Sequence, residues 1–86
     1  MLHLVQSHLS KQDFDRLLEQ LVYDDDIVLM NDGVYLSSAA LLCPCRCHVM
    51  LTDSQMRGVG LTDGMLALDM DGFVTLSEQH SSSATW

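Results

Sequence analysis

Residues 43–48 read Cys-Pro-Cys-Arg-Cys-His, the densest run of chemically capable side chains in the sequence. Three chemistries compete for it. The first is metal binding, since an extended segment would project Cys43, Cys45 and Cys47 to one face. Tetrahedral zinc sites, however, favour a Cys-x-x-Cys spacing with a second ligand pair elsewhere, and His3, His8 and His80 are scattered along the chain. The second is sulfur transfer by a reactive thiol. A thiolate needs a helix N-terminus or an adjacent cation, and some exposure. Arg46 and His48 alternate with the cysteines and so point to the opposite face, and Cys43 lies at the amino end of its strand. The third is packing, because free cysteine behaves as a small buried hydrophobe, which suits Cys45 and Cys47 in a covered strand. The packing reading fits the spacing best. No catalytic, cofactor-binding or metal-ligating residue is assigned, and no cofactor is expected.

A second constellation emerges only once the strands are placed. In a parallel sheet, ligands approach the carboxyl ends of the strands, and those ends here carry Ser7, His8, Asp32, Asp53 and Asp69. They could form an acid–base cleft, with His8 its best exposed member. The plainer reading is that the three aspartates cap helices, as aspartate does after a strand. His3 is expected to satisfy a buried hydrogen bond within its strand. His80, where the last helix ends, suits that helix dipole. Phosphate binding has little support: the Gly-x-Gly-x-x-Gly spacing is absent, and Gly58-Val59-Gly60 follows a helix instead of opening one.

The positioning elements follow from periodicity. Ile27 to Met30 is a continuous apolar run between Asp24-Asp25-Asp26 and Asn31-Asp32-Gly33, the pattern of a strand buried on both faces. Strands are predicted at about 1–6, 26–30, 45–50 and 65–68. Phe14, Leu17, Leu18, Leu21 and Val22 make a helical stripe over 11–23, with Ser10 placed to cap it and the three acids lying just beyond it. Val34–Leu42 is predicted as a short second helix of weak periodicity, ended by Pro44. Thr52 or Asp53 caps a third helix to Arg57, terminated by Gly58 and Gly60, and Asp69 caps a fourth over 70–80. Residues 81–85 read as a polar tail before Trp86. The order βαβαβαβα predicts one α/β domain over 1–86, a small four-stranded parallel sheet, doubly wound, with helices on both faces.

Composition narrows the function classes. The chain is 48% apolar and 19% charged, against about 25% charged in an ordinary domain. A domain of this size buries only about 60% of its unfolded surface, so the apolar excess points to an exposed patch for a protein partner. Val34, Tyr35, Leu36, Leu41 and Leu42 in the second helix are the expected patch. A net charge of −8, with only Lys11, Arg16, Arg46 and Arg57 basic, disfavours direct nucleic-acid or acidic-membrane binding. No transmembrane run or signal peptide is evident. An odd cysteine count in one cluster fits a reducing cytoplasm.

Taken together, several short motifs resemble the TusB/DsrH family of sulfur-relay proteins. They are Leu2-His3, Asp32-Gly33-Val34, Asp53 with Arg57-Gly58, Asp69, Phe73-Val74-x-Leu76, His80 and Trp86. The resemblance covers nearly the whole chain, and the TusB branch is the nearer. It implies a DsrE/F/H-type fold and a non-catalytic place beside TusC-like and TusD-like subunits in a heterohexamer. Persulfide sulfur there passes from TusA through TusD and TusE to the tRNA thiolase MnmA, ending in 2-thiouridine at the wobble position. In that family the sulfur-accepting cysteine belongs to the TusD-like subunit. Some DsrH-like members carry a lone cysteine in the first helix; Phe14–Val22 has none, and Gly72 stands where an acid is often found. The alternative is a direct sulfur carrier of a DsrEFH-type sulfur-oxidation complex.

Overall fold

Ile27, Val28 and Leu29 have no solvent exposure, and the sheet is laid around them. The computed structural model describes the backbone of residues 1–86 and all side chains except that of Leu41. Its elements are β1 (Leu2–Val5), α1 (Lys11–Gln20), β2 (Asp26–Leu29), two 3₁₀ helices (Asn31–Leu36 and Ala39–Leu42), β3 (Arg46–Met50), α2 (Leu51–Met56), β4 (Leu66–Leu68), α3 (Met70–Glu78) and β5 (Ser83–Thr85). All pairings are parallel, in the order β4-β3-β2-β1-β5.

That order explains the two-sided cover. From β1 to β4 the chain steps one way across the sheet; from α3 it returns to the far side of β1. Crossovers between parallel strands share one hand, so reversing direction moves the connection to the opposite face. Val5, Ile27, Leu29, Cys47 and Val49 pack against Phe14 and Leu17 of α1, Leu21 just past its end, and the 3₁₀ residues Val34, Leu36 and Ala40. On the other face Leu2, Val28, Met50 and Leu68 pack against Leu76 and Phe73 of α3. Alternate strand residues serve opposite faces, as the pleat requires.

The α/β class and doubly wound plan are as expected, with corrections. The sheet has five strands, not four: Ser83-Ala84-Thr85 pairs with Leu2-His3-Leu4, and the Trp86 N–H donates to the Leu4 carbonyl at 2.8 Å. A polar three-residue edge strand carries no apolar alternation to reveal it. Residues 34–42 form no α-helix but the two 3₁₀ turns, whose tighter winding suits a short link crowded against the sheet. Ser10 caps α1 as expected, accepting the Asp13 N–H at 3.2 Å. Neither Thr52 nor Asp53 caps α2; its N-cap position is Met50, with no side-chain cap. Gly58 ends the α2 segment with a φ of +65°. Gly58→Ala should cost about 1 kcal/mol, because a Cβ strains that conformation, measurable as a lower urea midpoint. Among the described residues no helix is long and apolar enough to cross a membrane.

Candidate functional site

At the carboxyl edge the acid–base cleft, the less favoured reading, does not assemble, and of the three aspartates expected to cap helices only Asp69 does so. Asp32 and Asp53 are gathered by Arg57, whose Nε donates to Asp32 at 2.9 Å and whose Nη1 lies 3.9 Å from Asp53. Asp53 also accepts the Asn31 N–H at 2.9 Å, holding that residue at a φ of +50°. It therefore braces the loop after β2 instead of its own helix. Asp69 caps α3, accepting the Gly72 N–H at 2.7 Å. His8 rests on Tyr35, ring centroids 5.7 Å apart, and Ser7 is exposed beside it. These groups are braces and caps, with no acid–base pair among them.

The cysteines sit at the opposite, amino edge. There the segments preceding β2, β3 and β4 enclose a groove of about 600 Å³, lined by Tyr23, Pro44, Met65, Leu66 and all three cysteines. Cys47 is buried in the core; Cys43 and Cys45 are partly covered. A hydrogen bond to Cys47, reinforced by burial, pushes the Cys43 thiol far up. Burial first, then the charges of Cys47, Asp25 and Asp26, push Cys45 up to about 11. The Cys43 thiol lowers Cys47, against burial and the Asp26 charge. Yet the Cys47 thiol donates to the Ala40 carbonyl at 3.1 Å, so a thiolate there would face a carbonyl oxygen, and the residue is only 6% exposed. Arg46 and His48 do point to the other face, as the alternation predicts. No metal-holding group of His, Cys, Asp and Glu occurs among the described residues. At pH 8 iodoacetamide should therefore label Cys45 roughly tenfold or more slowly than free cysteine, followed by mass spectrometry.

Sequence reasoning missed a buried polar network at this same edge. Asp26, 1% exposed, accepts from His48 Nε2 at 2.9 Å, His80 Nε2 at 2.8 Å and Arg46 Nη2 at 3.4 Å, with Arg46 Nε 3.2 Å away as an ion pair. Burial alone would raise its pKa; hydrogen bonds from His48 and His80 and the Arg46 charge outweigh that and hold it below the ordinary carboxylate value. Asp25 is likewise held low: burial opposes, but hydrogen bonds from the Met1 amino group, the Val22 N–H and His3 prevail. An ionised carboxylate only accepts, so both histidines present Nε2–H to Asp26. The Trp86 indole donates to His3 Nδ1 at 3.3 Å, which leaves His3 Nε2–H for Asp25 at 3.1 Å. His3 thus satisfies a buried hydrogen bond as expected, whereas His80 serves Asp26 in place of the helix dipole. The signal available was the run Asp24-Asp25-Asp26, whose last member opens a fully buried strand. Among the described residues every buried side-chain nitrogen and oxygen has a partner. The buried carboxylates and imidazoles are thus fully engaged and hold three strands together; only the Arg46 guanidinium and the Met1 amino group reach solvent.

The expected partner patch changes too. Tyr35 and Leu42 are exposed, but Val34 and Leu36 are buried, so a charge at Leu36 would damage the fold itself. Leu41 lies outside the described side chains.

A family model described as DsrH like protein matches residues 6–83. The fold is similar to the solution NMR structure of protein Tm0979 from Thermotoga maritima, with a TM-score of 0.70, 20% identity, and coverage of 95% of this chain and 97% of that one. At that identity the likeness speaks to the fold alone. No curated protein matches the sequence.

Proposed function

We propose, from the premise that this chain belongs to the DsrH-like family, that it is a non-catalytic subunit of a TusBCD-type sulfur-relay complex. Membership points to sulfur relay; the finer assignment is our reading. In it the chain sits beside TusC-like and TusD-like subunits in a cytoplasmic heterohexamer. TusA and TusE reach it through that complex, and persulfide sulfur moves on toward 2-thiolation of wobble uridine in tRNA. The chain touches proteins and not the tRNA, in keeping with its net charge of −8.

The observation that carries the non-catalytic part is the state of the thiols. Cys43 and Cys45 are pushed up, and Cys47 is buried. A sulfur acceptor needs the reverse: a thiolate at working pH, open to the donor.

The test is a complex rebuilt with the Cys43→Ala/Cys45→Ala double variant, supplied with a persulfide donor. Sulfur transfer at an undiminished rate is expected, with no added sulfur on Cys47 by mass spectrometry. Loss of transfer in an intact complex, or a persulfide on Cys45 in the wild type, would make the chain a direct carrier. Removing the chain from its cell should lower tRNA 2-thiouridine; unchanged 2-thiouridine would overturn the tRNA end use.

A further inference from the structure

Strand β4 pairs with β3 alone, so its outer edge is unpaired within the sheet. Edge strands that must stay unpaired usually carry lysine, proline or a bulge, or lie under a loop. Leu66-Ala67-Leu68 has no charge and no proline, and Leu66 and Ala67 are exposed. The surface on either side is apolar as well. The first turn of α3 lies against β4, close enough that a Cβ on Gly72 would meet Leu68 Cδ1 at 2.9 Å, and it holds Met70 63% exposed. Toward its amino end the strand opens into the 600 Å³ groove, which Leu66 lines with Tyr23, itself 84% exposed.

Charge selects the occupant. Asp63 and Asp69 bracket β4, with Asp71 beyond and Asp24 at the groove, all exposed. Two arginines are engaged elsewhere, Arg16 with Asp13 and Arg57 with Asp32; Arg46 lines the groove itself but is paired with Asp26. Among the described residues no ion pair reaches Asp24, Asp63, Asp69 or Asp71. A second copy of the chain is a poor fit. Antiparallel pairing about Ala67 would bring Asp63 of each copy to the Asp69–Asp71 end of the other, and facing like charges destabilise a strand pair.

We propose that the outer edge of β4 is a docking strand for an extended segment of a partner protein, apolar at its centre and bearing lysine or arginine at both ends. Backbone hydrogen bonds to β4 supply the pairing, and Leu66 and Met70 the apolar contact. The flanking aspartates fix the register and speed the encounter. The inference rests on the subunit reading above, for the partner is a neighbouring subunit of the complex.

The experiment co-expresses the full chain with TusC-like and TusD-like subunits of the same genome and follows amide hydrogen exchange. In the complex the 66–68 amides should exchange about tenfold or more slowly than in the free chain, because pairing protects them. Leu66→Glu should retain the free chain's thermal midpoint yet weaken co-purification about tenfold, and wild-type binding should weaken as NaCl rises from about 50 to about 500 mM. A complex whose 66–68 amides exchange as fast as in the free chain, or that binds Leu66→Glu fully, overturns the docking strand and leaves the subunit reading standing. Failure of the wild type to co-purify with either subunit overturns the subunit reading and the docking strand with it. A dimer of the chain alone with protected 66–68 amides overturns the basic partner.

Discussion

Asp26→Ala is expected to cost about 3 kcal/mol or more, enough to leave a domain of this size partly unfolded. The carboxylate is the common acceptor for His48, His80 and Arg46, which reach it from β3 and from beyond α3. Alanine would strand two ring N–H groups in places where water barely reaches, His48 being 8% exposed. A buried donor without its partner carries its full desolvation penalty. Arg46 would lose little, since its guanidinium is largely exposed and solvated. Asp26→Asn separates shape from charge. Its amide oxygen can still accept from one histidine, but its NH₂ turns a donor toward the others. About 2 kcal/mol of loss is expected from the asparagine. Both losses are read from urea midpoints at constant m-value. Wild-type stability in Asp26→Asn would show that the network is held by shape alone.

The same residue sets the acid limb of the stability curve. Asp25 and Asp26 both have folded pKa values below the ordinary carboxylate value. The unfolded chain therefore binds protons first as pH falls. Their stabilisation is fully present above the unfolded carboxylate pKa of about 4, and it is lost as pH falls through the folded values. The wild type should destabilise steeply below about pH 4, and Asp26→Ala less steeply, with Asp25 still contributing. Parallel acid limbs in the two proteins would contradict this.

Legibility in the sequence followed whether a residue's role is local. Ile27-Val28-Leu29 announces a strand covered on both faces because the run itself is apolar, and the Phe14–Leu21 stripe announces α1 by its period. Ser10 and Asp69 act within three residues of themselves, and both caps form as expected. In the sequence Asp26 looks, with Asp24 and Asp25, like acid between a helix and a strand. Its partners lie 20, 22 and 54 residues away, and no local pattern encodes them. Strand β5 is likewise created by its neighbour: Ser83-Ala84-Thr85 is a strand because β1 offers an open edge. Asp53 shows an intermediate case. Its type suggests a cap, but Asn31 and Arg57 compete for its oxygens and prevail. The cysteines were legible as packing, since alternation with Arg46 and His48 separates the faces before any fold is known. The groove they line was not, because it is enclosed by segments far apart in the chain.

Gly33→Ala should be among the most damaging single-methyl additions available, at about 3 kcal/mol or more. A Cβ at Gly33 would run into the Val5 carbonyl oxygen and stand 2.8 Å from its carbon. Both are backbone atoms at the end of β1 and cannot swing aside as a side chain would. The same carbonyl accepts the Met30 N–H at 2.9 Å, so separating the segments breaks the bond that seals the exit of β2 against β1. The next residue, Val34, is fully buried, and it would be dragged from the core with the turn. Gly72→Ala supplies the contrast. A Cβ there meets Leu68 Cδ1 at 2.9 Å, the end of a side chain that can give, and the capping Asp69 carboxylate at 3.0 Å, which needs to shift only by tenths of an ångström. Alanine also favours a helix by about 1 kcal/mol over glycine, so the two effects should nearly cancel. The pair separates close packing from backbone propensity at two glycines in one small domain. Equal urea midpoints for the two variants would mean that the turn after β2 can move away from β1.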